Sequence, residues 1–143
     1  MKPGVLIRYL LLAVALCLGT LRAGSAGVKV IANPSVKTSV VLIEDLRCVF
    51  LSTKTSLPDG SRVAPVLLKS GAAHEAFVVR YIGKTAAGLE TYYRSLVFAG
   101  RALMPPAFAS EGEVIRYVAR TRGAIGYVSS EASLSGVKTL EIQ

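Results

Sequence analysis

Apolar and polar positions alternate over residues 27–34 (GVKVIANP) and stop at Asn33–Pro34, which predicts a strand running into a turn. Between Val40 and Leu51 the period changes, and Leu42, Leu46, Val49 and Phe50 recur at helical spacing. A Pro58–Asp59–Gly60 turn follows. RVAPVLL (62–68) then resumes a strand, and Pro65 confines that strand to an edge or an end. Over 72–82 a helix places Ala73, Phe77 and Tyr81 on one face. A second helix, over 88–98, carries Leu89, Tyr92, Tyr93, Leu96 and Val97 as an apolar stripe, with Glu90 one turn before Arg94. Ser110 and Glu113 stand at capping-box spacing at the head of a helix that Gly123 closes. AIGYV (124–128) reads as a short buried strand and VKTLEI (137–142) as the last one. Strands and helices interleave, so the pattern predicts an α/β domain whose mixed, partly parallel sheet is flanked by helices.

The chain of 143 residues is long enough for one domain with its own core. Residues 1–26 stand apart from it. Lys2 and Arg8 give a basic start, residues 9–21 are apolar, and Gly24 and Ala26 supply small residues at the exit. This is the layout of a secretory signal cleaved after Ala26, and it predicts a periplasmic protein. The apolar run falls short of the ~20 residues that span a bilayer. Loss of Lys2, Arg8 and Arg22 lowers the net charge from +8 to about +5. Cys17 leaves with them, so Cys48 becomes a lone thiol, expected to be a small half-buried apolar side chain. The positive charge is dispersed, without a basic run or interleaved aromatics, which argues against nucleic acid and leaves small anions as partners.

The stretch LLKSGAAHEAF (67–77) holds the candidate chemistry. Ser70 and His74 lie four apart, as in half of a serine hydrolase. No third group orients the histidine and no G-x-S-x-G elbow is present, so no catalytic residue is predicted. His74 is expected on the surface or rim. Two compatible readings remain for the helix start. Ser70 caps the helix, or Lys69, Ser70 and Gly71 hold an oxyanion against free amides. Beyond the first strand, Asn33, Ser35 and Thr38 form a second candidate loop, where α/β sheets commonly bind ligands; an ordinary polar loop is the alternative. Arg101 could add a charge or remain solvated. His74 and Cys48 alone cannot complete a metal shell, and no cofactor is expected.

RTRGAIGYV (120–128) resembles the TPGAIGYV signature of the periplasmic phosphate-binding proteins of ABC transporters. IEDLRCVFLSTKTSLPDGSRVAPV (43–66) resembles that family's helix, turn and strand, and SGAAHEAF (70–77) falls at its SGT phosphate loop. Asn33–Pro34–Ser35 matches the opening strand of the short, exported, single-lobe members. The chain departs from the pattern at Ser52, Leu57, Ala72 and Arg122, which replace glycine, tryptophan, threonine and proline. No aspartate or arginine occurs within 66–72. The resemblance implies a periplasmic-binding-protein-like lobe, non-enzymatic, that binds phosphate or a similar small oxyanion weakly, with an ABC transporter permease as partner. The alternative is an exported accessory or interaction module that keeps the fold without a ligand, with homodimerisation through the face a second lobe would cover.

Overall fold

The computed structural model describes residues 27–143; the expected leader 1–26, with Cys17, lies outside the described residues. Strands β1 (Val28–Ala32), β2 (Val40–Val41), β3 (Ala64–Pro65), β6 (Ala124–Ser129) and β7 (Lys138–Ile142) form one sheet in the order β2-β7-β1-β6-β3. β1 runs antiparallel to β6 and β7, with Val30 opposite both Tyr127 and Leu140. β2 joins β7 in parallel and β3 joins β6 in parallel, so the sheet is mixed as expected. β4 (Leu67–Leu68) and β5 (Ala107–Phe108) pair in parallel as a second, two-stranded sheet.

RVAPVLL is therefore not one strand. β3 ends at Pro65, Val66 N–H donates to the Ile125 carbonyl, and β4 turns away to meet β5. Pro65 lies on the edge strand, where its missing N–H leaves no ladder bond unmade.

Among the described residues four α-helices complete the fold: α1 (Ile43–Phe50), α2 (Ala72–Phe77), α3 (Ala86–Phe98) and α4 (Glu111–Arg120). Side chains alternate across a strand, and β6 shows what each face meets. Gly126 faces Val114 and Val118 of α4, whereas the Tyr127 ring stacks on Phe77 of α2 at 3.8 Å and packs against Phe50 of α1. Helices thus cover both faces of the sheet. The core between them includes Ile31, Leu46, Phe50, Phe77, Val118 and Tyr127, each almost fully buried.

α4 has the expected capping box, with Ser110 and Glu113 each bonded to the other's backbone N–H. After α2 the chain winds as a π-helical turn over Val78–Ile82 and stops at Gly83 in the left-handed conformation. α3 begins earlier than the apolar stripe suggests, because Thr85 caps it by accepting from Gly88 N–H. Cys48 is half-buried and unpaired. Among the described residues no helix is long and apolar enough to cross a membrane.

Candidate functional site

β4 ends at Leu68, and Lys69, Ser70 and Gly71 carry the chain into α2. Lys69 is pinned by its N–H to the Phe108 carbonyl at 2.9 Å. Gly71 takes φ +103, a conformation that L side chains rarely adopt, and occupies the N-cap position. The expected serine cap is not formed. The turn closes one residue later than Ser70, and no side chain caps α2. Ser70 is exposed, and the Lys69 side chain has no carboxylate partner among the described residues.

His74 is not a surface histidine. It is 7% exposed, and its Nδ1 lies 2.5 Å from the Tyr127 hydroxyl. That hydroxyl already accepts the Leu68 N–H at 3.1 Å. Its own proton has His74 Nδ1 as acceptor, which leaves the neutral imidazole with its proton on Nε2. Burial pushes the His74 pKa down, against an opposing pull from the Glu75 carboxylate. Burial pushes the Tyr127 phenol well above its ordinary range, so it keeps its proton and remains a donor.

Between this pair and α3 lies a cleft of about 370 Å³. Leu68, Lys69 and His74 line one side; Leu89, Glu90 and Tyr93 of α3 line the other. α3 is tied down through its tyrosines: Tyr93 donates to the Phe50 carbonyl, and Tyr92 to the Leu51 carbonyl at 2.7 Å. Glu90 pairs with Arg94 along the exposed face of the helix.

The sequence-derived site residues fall into separate places. Lys69, Ser70 and Gly71 share one turn, and Lys69 reaches the cleft. Asn33 and Ser35 do not join them. The Asn33 amide donates to the Val118 and Ala119 carbonyls and its Oδ1 accepts Ser35 N–H, while Ser35 Oγ accepts Gly123 N–H. These contacts fasten β1 to the end of α4. Thr38 Oγ1 donates to the Val40 carbonyl within its own loop. Arg101 is exposed beyond α3, where its N–H closes that helix on the Leu96 carbonyl. The sequence reading missed His74, Glu90 and Tyr93 as cleft residues. One signal was available, since His74 lies three before buried Phe77 and so on the inward face of α2.

No protein-family model and no curated protein matches the chain. Solved structures do. An ABC-type phosphate transport receptor from Vibrio cholerae superposes with a TM-score of 0.59 at 15% identity, over 82% of this chain and 46% of that one. A structure described as a phosphate ABC transporter substrate-binding protein from Clostridium perfringens, with phosphate bound, gives 0.60 at 12%, over 82% and 45%. PstS from Borrelia burgdorferi gives 0.58 at 15%, over 82% and 47%. The chain spans less than half the length of each of these three proteins. At such identities the likeness concerns backbone architecture, and what this chain shares with phosphate ABC transporter substrate-binding proteins is their periplasmic-binding-protein-like fold.

Proposed function

We propose that this is an exported, non-enzymatic solute-binding-like domain that takes phosphate or a similar small oxyanion at the Lys69–Gly71 turn for an ABC transporter. The observation that carries the reading is this turn, which brings an unpaired lysine to a cleft in a fold shared with phosphate receptors. Gly71 leaves the backbone open to close approach, with nothing within 4 Å of where a Cβ would stand. Ala72 supplies no hydroxyl, and the Asn33 and Ser35 groups are engaged in the fold. Binding therefore rests on one ammonium and backbone amides, with dissociation at about 0.1–10 mM, on the order of 3–5 kcal/mol.

Calorimetric titration with phosphate, sulfate and molybdate tests this. Ala72→Thr should tighten binding by returning a donor to the turn, and Lys69→Gln should weaken it. Absence of binding by all three anions would overturn the reading. Export is tested by intact-mass measurement on periplasmic protein, expected to begin at Gly27; a chain still starting at Met1 would contradict it.

One observation favours the interaction-module alternative. Phe98 and Leu103, at and beyond the end of α3, are 96% and 89% exposed. Sedimentation that depends on concentration, and that Phe98→Ser abolishes, would support self-association through this surface.

A further inference from the structure

The cleft beside Lys69 is larger and less polar than a bare tetrahedral anion requires. Its volume of about 370 Å³ lies within the range of about 300–1,000 Å³ in which small organic molecules are held. Leu67, Leu68, Leu89 and Met104 line it together with Tyr93, and the Tyr93 hydroxyl is turned away to the Phe50 carbonyl. Three side chains interrupt this apolar lining with charge or a polar edge. Lys69 has no carboxylate partner among the described residues, Glu90 pairs with Arg94 on the exposed helix face, and His74 bonds to Tyr127.

His74 is the informative one. Its Nδ1 is occupied by the Tyr127 hydroxyl, and Nε2–H has no protein acceptor among the described residues. No sealed side-chain nitrogen or oxygen lacks a partner, so Nε2 keeps access to the open space that its side chain lines. A cleft-lining imidazole that is only 7% exposed thus keeps an accessible Nε2–H with no protein acceptor among the described residues. A ligand oxygen can take this donor in place of water, among apolar neighbours that strengthen the hydrogen bond. The relay from Leu68 N–H through Tyr127 to His74 fixes the tautomer before any ligand arrives, so the donor needs no reorganisation.

Building on the proposed oxyanion site, we infer that its ligand is a phosphate monoester with a compact apolar substituent rather than inorganic phosphate. The phosphoryl group meets Lys69, the substituent lies against Leu68, Leu89 and Tyr93, and His74 Nε2–H donates to a phosphoryl or ester oxygen. The lining suits both halves of such a molecule. A bare ion would leave the aliphatic wall wet, and a neutral apolar molecule would leave the lysine and the imidazole N–H unused.

The test compares phenyl phosphate, inorganic phosphate and phenol by calorimetry, and follows the imidazole nitrogens of the full exported protein by ¹⁵N NMR. Phenyl phosphate should bind about tenfold or more tightly than inorganic phosphate, and should shift Nε2 while Nδ1 stays unprotonated. His74→Asn removes the cleft donor and offers Tyr127 an oxygen in place of Nδ1. It should weaken phenyl phosphate about fivefold, and an unchanged affinity in a folded variant would overturn the role given to His74. The wild-type NMR shift needs no variant, so a poorly folded His74→Asn protein does not remove the test. Equal binding of phenyl phosphate and inorganic phosphate would overturn this inference and leave the oxyanion reading standing. Binding of phenyl phosphate with an unmoved Nε2 resonance would also overturn it. Phenol binding as tightly as phenyl phosphate would overturn both, as would no binding by either phosphate.

Discussion

At Gly123 one hydrogen atom decides whether two segments can meet. A Cβ there would lie 2.3 Å from the Arg62 carbonyl oxygen, a backbone atom that cannot swing aside, and φ is +75. Gly71 has a similarly positive φ, +103, but nothing lies within 4 Å of its missing Cβ. The pair separates clash from strain. Gly71→Ala should cost about 1–2 kcal/mol from backbone strain alone, and Gly123→Ala about 3 kcal/mol or more, because β3 must also move. Equal losses by urea denaturation would show that the Arg62 contact carries no penalty of its own.

His74 gives a second residue-level expectation. Its pKa is lowered in the fold, so the folded state favours the neutral ring. The stability this contributes is present above the unfolded value of about 6.5 and is lost as pH falls through the lowered folded value. His74→Asn should therefore flatten the fall in stability as the pH drops below the ordinary imidazole value of about 6.5. An unchanged slope would mean the imidazole titrates alike in both states. The sequence displayed His74 but not its partner, since Tyr127 is 53 positions away and local spacing says nothing of such a bond.

Two serines at the heads of helices show which features of an element local sequence can reveal. Ser110 sits three before Glu113, and both halves of the reciprocal bond form, because every participant lies within one turn. Ser70 looks equivalent in sequence but lies one residue too early, since the positive φ of Gly71 moves the cap. Ser110→Ala should cost about 1 kcal/mol and Ser70→Ala less than about 0.5, measured as shifts in denaturation midpoint at constant slope. A Ser70→Ala loss matching that of Ser110→Ala would restore the serine cap. The same rule explains the strands. AIGYV is apolar throughout, and all of Ala124–Val128 is buried. The break inside RVAPVLL and the short strands Val40–Val41 and Ala107–Phe108 were not readable, because distant partners make them. β2 exists through β7, and β4 and β5 through each other.

Taken as a whole, the molecule is unevenly held together, and one wall of the cleft is a lightly buried helix. β1 and β6 each pair on both sides, and their side chains feed the core from both faces of the sheet. α3 has thirteen residues but buries only Leu89 and Tyr93. Its remaining anchors include the two tyrosine hydroxyls and Lys84 stacked 5.1 Å above the Tyr92 ring. Stability varies with such local anchoring, so α3 amides should exchange with solvent by local opening, well before those of β1 and β6. Tyr93→Phe leaves the Phe50 carbonyl without its partner and should lower α3 protection by about 1–3 kcal/mol. A ligand that touches Leu89 and Tyr93 acts in the opposite direction. At a hundred times its dissociation constant it should raise α3 protection by up to about 2.7 kcal/mol. Hydrogen exchange followed residue by residue distinguishes the cases. If α3 exchanges as slowly as β6 with the cleft empty, the wall belongs to the rigid core, and ligands enter without any movement of that helix.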